Sequence, residues 1–356
     1  MNSSPERSET LSWEQIKDVL EQAFHECRQL QVVIFAGGEP MLLGDTLLEA
    51  IKLCKQRGAL TRIVTNAYWA TTRAHARFKL QELKDAGLDE VNVSTDDYHL
   101  PFIPLDAVKH AYEEALALEF SAVVLANCFG PETTLTPERV KAEVGDPPDM
   151  QLRFSDDGDL IQKRAHRGKS LILLSNSRVQ RLGRGNQQLS ASELGPTNPD
   201  LDQLGEQVGG CPWAIKSAAI SAKGHFVSCC GFEVEDNPIL DYGDLAKTPL
   251  AELLDKADND LVTNMIAIIG PIRIMRMLQQ ICPDEVSFPG SYRSFCEVCS
   301  DLVSLKQNRE ALYRHMDRFA ELVLDARQYL GELKAKGALD FPPLKITPSA
   351  APGGPR

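Results

Sequence analysis

Two sets of residues have types and spacings suited to chemistry. The first is Gly37-Gly38-Glu39-Pro40, which closes an apolar run from Gln31 to Phe35. Two glycines let a backbone approach a ligand where a Cβ would clash, and Glu39 then stands at the C-terminal end of a short buried-strand pattern. In an α/β barrel that end is where ligands lie, and a carboxylate beside free backbone amides and carbonyls could hold the ammonium of an amino-acid moiety. The same four residues also read as an ordinary strand-to-helix turn with a surface glutamate. The second set is Cys211 and Cys229, in the pattern C-x12-G-x4-C around Gly224, with Cys296 and Cys299 far downstream as C-x2-C. Four thiolates in two pairs make a metal site, of iron-sulfur or zinc type.

Elements that must position these residues are visible in the periodicity. Ser12 caps a helix, with Gln15 closing a capping box, and Trp13, Ile16, Leu20, Phe24 and Cys27 fall on one apolar face. Strands follow at Gln31 to Phe35, Thr61 to Thr65, Glu90 to Ser94 and Ala122 to Ala126, with helices near 41–57, 71–86, 105–118 and 136–143 between and after them. Alternating strands and helices predict a parallel sheet, and four or five such units suit either a doubly wound sheet or a partial barrel. The strand ends collect polar residues: Asn66; Ser94 to Asp97 with His99; and Asn127 with Cys128. Beyond Pro131 the pattern loosens, with strand-like pieces at Gln151 to Phe154 and Leu171 to Leu174, and Arg181 and Arg184 near Gly183 and Gly185 offer two cations to an anion. For the cysteines, Ala218 to Ala222, the turn Lys223-Gly224 and His225 to Ser228 form a hairpin that brings Cys211 and Cys229 close.

Composition bounds the rest. The 356 residues are 43% hydrophobic and 25% charged, enough for about two domains with ample core. A net charge of −12, with no basic patch tracking an aromatic stripe, argues against a nucleic-acid partner. Met1 to Thr10 is polar, with no apolar segment of a secretory signal behind it, so a cytoplasmic location is expected, where nine cysteines stay reduced. The most apolar stretch, Met265 to Leu278, is broken by Gly270-Pro271 and carries Arg273 and Arg276. It reads as a kinked core helix rather than a membrane span.

Together, the Gly37-Gly38-Glu39-Pro40 turn and the ordered cysteine pattern resemble radical S-adenosylmethionine (SAM) enzymes carrying a C-terminal twitch domain, a reduced SPASM domain, over about residues 11–300. The resemblance implies an α/β fold: a partial parallel (β/α) barrel over 11–200, followed by a smaller cluster-binding domain over 201–300. It implies that Gly37, Gly38, Glu39 and Pro40 hold the methionine end of SAM, with Asn66 and Ser94 lining the same edge. Arg184 matches the Gly-Arg that often closes the core domain. Cys211, Cys229, Cys296 and Cys299 would hold an auxiliary [4Fe-4S] cluster, with Cys230 and Cys282 as substitutes. Without the resemblance, the same four cysteines read as a zinc staple.

The departure concerns the reaction. Such enzymes carry a C-x3-C-x2-C triplet before the glycine turn, holding the cluster that cleaves SAM. The first 36 residues here contain one cysteine, Cys27. Two expectations follow: an amino-terminally incomplete enzyme, favoured here, with an apolar flank left bare beside the Gln31 to Phe35 strand, or a catalytically silent scaffold. The implied substrate is a peptide or small molecule, with a reductase as partner. Residues 1–10 are expected to be flexible. Apolar residues from Leu305 to Leu330 predict a C-terminal helix over 301–336, and 337–356 read as a disordered tail.

Overall fold

The computed structural model describes residues 7–145, 147–148, 152–154, 160–162, 165–200, 210–211, 213–229 and 234–335. The expectations for residues 1–6, Cys230 and the tail from 336 onward lie outside these described residues.

The chain opens with helix α1 (Trp13–Glu26), begun by the Ser12 capping box in which Gln15 reaches back to the Ser12 amide at 2.8 Å. Strand β1 (Val32–Phe35) follows, then a 3-10 turn over Pro40–Leu43 and helix α2 (Asp45–Gln56). The predicted helix over 41–57 is thus divided, because Gly44 takes φ +54 and redirects the chain. Next come β2 (Leu60–Thr65), α3 (Arg73–Ala86), β3 (Glu90–Ser94), α4 (Leu105–Ala117), β4 (Ala122–Phe129) and α5 (Pro137–Val144). A short hairpin pairs β5 (Leu152–Phe154) with β6 (Leu160–Gln162), and β7 (Ala165–Arg167) turns back into β8 (Ser170–Arg178).

The main sheet runs β1-β2-β3-β4-β8-β7, the first five parallel and β7 antiparallel at the far edge. Strand order advances without reversing, so there is no switch point of the kind that defines a doubly wound sheet. Helices α3 and α4 pack on one face, where Ile63, Val91, Val93, Val123, Leu125, Ile172 and Leu174 share a core with Leu80, Leu83, Val108 and Ala111. The opposite face carries the half-buried Arg62, Val64, Asn92 and Ser94 at alternate positions, as a two-residue period requires. This one-way winding, with helices on the outside, is a mixed α/β fold consistent with a partial radical SAM (β/α) barrel. Val32 and Ile34 of β1 are 39% and 50% exposed, on the same open face as their register partners Leu60 and Arg62.

After short helices α6 (Arg184–Gln188) and α7 (Ala191–Leu194), the described chain resumes at Gly210 in a region with a second core. The hairpin forms as read: β9 (Ala219–Ile220) pairs antiparallel with β10 (His225–Val227), and β11 (Asp241–Asp244) adds the third strand. Helices α8 (Leu250–Asn259), α9 (Leu261–Ile268), α10 (Pro271–Ile281), α11 (Phe295–Ser304), α12 (Lys306–Arg314) and α13 (Asp317–Ala335) complete the described fold. The apolar stretch is two helices, α9 and α10, bent by 110° at Gly270-Pro271, and among the described residues no single helix is long and apolar enough to cross a membrane. The single helix expected over 301–336 is instead three. Leu305 is extended (φ −76°, ψ 122°) between α11 and α12, and His315 ends α12.

Candidate functional site

Glu39 is the organising residue at the C-terminal edge of the sheet. Its Oε1 accepts from the Met41 amide at 3.0 Å and the Thr65 hydroxyl at 2.8 Å, and its Oε2 from the Asn66 amide at 2.8 Å. The carboxylate therefore ties the turn after β1 to the end of β2. A carboxylate offers about four acceptor positions, so three are spent on the fold and one, on Oε2, is left for a ligand. Burial pushes its pKa up, against the three hydrogen bonds that favour the anion.

Thr65 was not singled out in the sequence, yet it is the second hub. Its buried hydroxyl donates to Glu39 and accepts from the Ala67 amide at 3.1 Å and the Trp69 indole at 3.0 Å, using its full capacity. These bonds support Ala67, a fully buried non-glycine residue at φ +63, a conformation that costs about 1–2 kcal/mol. The signal in the sequence was a polar residue at a helix-facing strand position. Asn66 contributes its backbone amide to Glu39, while its side chain accepts from the Tyr68 amide and shapes the turn.

Gly37 and Gly38 lie exposed beside this carboxylate, and a Cβ built on either meets nothing within 4 Å. Gly37 sits at φ +129, where side chains rarely fit. Pro40 is buried and fixes the first turn of the 3-10 segment. The open glycines and the anchored carboxylate fit the amino-acid end of SAM.

The neighbouring strand ends add a titratable pair. Asp96, 6% exposed, accepts from the His99 ring Nδ1 at 2.8 Å and from the Tyr98 amide at 3.0 Å. The hydrogen bond to Asp96 holds the His99 pKa above its ordinary value, with Glu39 adding to the effect. Asp97 accepts from Leu135 at 3.0 Å and from the Thr134 hydroxyl at 3.0 Å, so it pins the loop after β4 rather than solvating a turn. Ser94 ends β3 on the open face. Strand β4 runs three residues beyond its expected end, which places Asn127 and Cys128 inside it. Asn127 is buried, its amide nitrogen donating to the Thr95 and Leu135 carbonyls, while its Oδ1 is buried with no hydrogen-bond partner among the described residues. Burial raises the Cys128 thiol to about 11.

Cys27 caps the C-terminus of α1, half-buried, with its thiol pKa raised by burial. Among the other cysteines, Cys299 is 6% exposed in the second core, against which Cys211 and Cys229 pack. Cys296 lies one turn before Cys299 on α11, on the same side of the helix. The Cys211 amide donates to Ile266 of α9, and the hairpin carries the chain to Cys229. Thiolates as a donor type suit either an iron-sulfur cluster or zinc, but the groups of three or more donors within 4.8 Å of one another among the described residues lie elsewhere.

The two basic residues read as anion contacts have internal partners. Arg181 bonds both Asp301 oxygens of α11 at 2.8 and 3.0 Å, and its amide donates to Glu297 at 2.6 Å. Arg293 adds its amide to Glu297 at 3.0 Å and its Nε to the Leu194 and Gly195 carbonyls. This latch fastens the exit of the sheet to α11. Arg184, on α6, donates to the Gln188 side chain at 3.0 Å.

Residues 1–118 match the model of the Radical SAM superfamily. The match spans the first third of the chain, the part that contains β1 to β3 and the Glu39 site. Over 114 residues the chain is 23% identical to YydG of Bacillus subtilis (strain 168), a protein named for peptide biosynthesis. The match covers 32% of this chain and 35% of that relative, so the chain spans about a third of its length.

Proposed function

We propose that this protein binds SAM at the Gly37–Pro40 turn and an auxiliary [4Fe-4S] cluster at Cys211, Cys229, Cys296 and Cys299, as a radical SAM-type oxidoreductase of peptide maturation whose radical-generating C-x3-C-x2-C motif is absent from this sequence. The observation that carries the reading is Glu39, fixed by three hydrogen bonds with one acceptor position free, beside two open glycines at the C-terminal edge of a one-way parallel sheet. In this reading the backbone around Gly37 and Gly38 receives the methionine carboxylate and ammonium, Glu39 Oε2 accepts one ammonium N–H, and Asn66 and Ser94 line the edge. A cluster on the four thiolates supplies one-electron transfer when bound. The name of the YydG relative supports a peptide substrate. A reductase as electron donor and a cytoplasmic setting complete the reading, and Arg184 stands as an accessory contact.

A second reading is a silent scaffold that binds a peptide or partner enzyme through the same edge. Cys27, half-buried at the end of α1, is not a triplet ligand in either reading. The zinc-stapled protein without SAM is the third.

Equilibrium dialysis of SAM against the anaerobically purified chain, with iron counted after reconstitution, separates the three. Saturable SAM binding that is lost in Gly38→Val, with about four irons per chain, supports the first reading. Catalytic turnover then distinguishes it from the scaffold. One zinc, no iron uptake and no SAM binding would leave the third.

A further inference from the structure

The region after α10 holds a group of donors that neither the Glu39 site nor the four-cysteine set uses. Cys282 caps the C-terminus of α10, the 3-10 turn Pro283–Glu285 follows directly, and His315 caps the C-terminus of α12. Donor atoms of Cys282, Glu285 and His315 all lie within 4.8 Å of one another. His315 Nε2 is 3.8 Å from Glu285 Oε2. In a tetrahedral zinc site with bonds of about 2.0–2.3 Å, ligand atoms stand about 3.3–3.6 Å apart, so small side-chain adjustments close the geometry.

Three further observations favour an ion here over a chance grouping. First, the His315 Nε2 atom is buried and has no hydrogen-bond partner, a state that costs free energy unless something satisfies the nitrogen. Second, Cys282 is 6% exposed and its Sγ donates to the Leu278 carbonyl at 3.3 Å, while the Glu285 amide donates to the Cys282 carbonyl at 3.0 Å and holds the turn. The C-x2-E spacing therefore presents a sulfur and a carboxylate from one tight turn. Third, Arg314 pairs with the same Glu285 carboxylate, the kind of outer partner that orients a ligating group. One sulfur, one imidazole nitrogen and one carboxylate oxygen suit zinc. The single thiol excludes an iron-sulfur cluster, and the soft donors disfavour calcium and magnesium.

We propose that Cys282, Glu285 and His315 form a zinc(II) site that clamps the C-terminal ends of α10 and α12 around α11, leaving the fourth coordination position to water. Thiolate and carboxylate neutralise the ion, and Glu285, the most exposed of the three, gives solvent its access. The site is separate from the four-cysteine set. It strengthens the frame that holds α11, which carries Cys296 and Cys299.

The test uses the full chain, purified without oxygen, offered iron and sulfide, freed of loose metal by a chelator, and titrated with zinc against a chromophoric competitor. One tight zinc equivalent is expected, weakened 100-fold or more in both Cys282→Ser and His315→Gln, with iron content and circular dichroism unchanged. Cobalt(II) in place of zinc should give a sulfur-to-metal charge-transfer band that Cys282→Ser abolishes. Zinc affinity equal to wild type in both variants, or no zinc retained, overturns the site. Should iron fail to load, the four-cysteine reading falls, and two zinc ions per chain with one lost in His315→Gln would still uphold the clamp.

Discussion

The glycine-turn edge and the cysteine-bearing helical region solve the same problem, holding donors still, by opposite means. At the edge, Glu39, Thr65 and Asn66 come from two adjacent parallel strands and the turn between them, and hydrogen bonds between neighbours carry the geometry. Around α11, Cys211, Cys229 and Cys299 come from segments far apart in the chain and belong to or pack against one apolar core, with the Arg181–Asp301 and Glu297 bonds fastening that core to the sheet. The first arrangement is local and polar, so single substitutions should change ligand affinity with modest loss of stability. The second is long-range and apolar, so single substitutions should unfold it.

The sharpest way to break this contrast is Glu297→Ala. Glu297 is 1% exposed and accepts from the Arg181 and Arg293 amides. Removing it leaves both amide donors unmatched and takes away the Arg293 ion pair, and urea unfolding should show a loss of about 3–5 kcal/mol with SAM affinity little changed. Next, Glu39→Gln places an NH2 against a backbone or hydroxyl donor. The expected cost is about 2 kcal/mol, with SAM affinity down about tenfold or more by equilibrium dialysis, the equivalent of about 1.4 kcal/mol. Equal effects of the two variants on stability and on binding would erase the distinction.

Gly37→Ala and Gly38→Val divide the edge further. Gly37 needs φ +129, so alanine there should cost about 1–2 kcal/mol. At Gly38 the added side chain meets nothing in the protein, so melting should hardly move while ligand binding is lost. The smallest effect is a pH dependence. The folded-state pKa of His99 lies above 6.5, chiefly through its bond to Asp96, so its contribution to stability is full below pH 6.5 and is lost as pH rises through the folded value. Chemical denaturation of wild type and His99→Gln across pH 5.5–8.5 should show that loss in the wild type alone.

Much of the edge was legible because its signals are local. The strand pattern, the paired glycines and the capping Ser12 each act within a few residues, and each forms as read. Strand order settled what periodicity left open, since a doubly wound sheet and a partial barrel have the same alternation and differ only in which strands pair. Thr65 was missed because its bond to Glu39 spans 26 residues and its bonds to Ala67 and Trp69 depend on a turn that spacing alone does not reveal. Arg181 was read as an anion contact, and its anion is Asp301, a pairing that spacing cannot reveal across 120 residues. The C-terminal helix was read as continuous because Leu305 and His315 are ordinary residues for a helix, and the breaks come from packing around α11.

That separation also sets a schedule for the nascent chain. At synthesis rates of about 5–20 residues per second, Asp301 emerges on the order of ten seconds after Arg181, long after β1 to β4 have had time to pair. The sheet must therefore persist for that interval with its exit unfastened, and the latch closes last. Contacts made after the rate-limiting step govern how fast a protein comes apart rather than how fast it assembles, so weakening the latch should shorten the lifetime of the folded chain while leaving its rate of formation nearly unchanged.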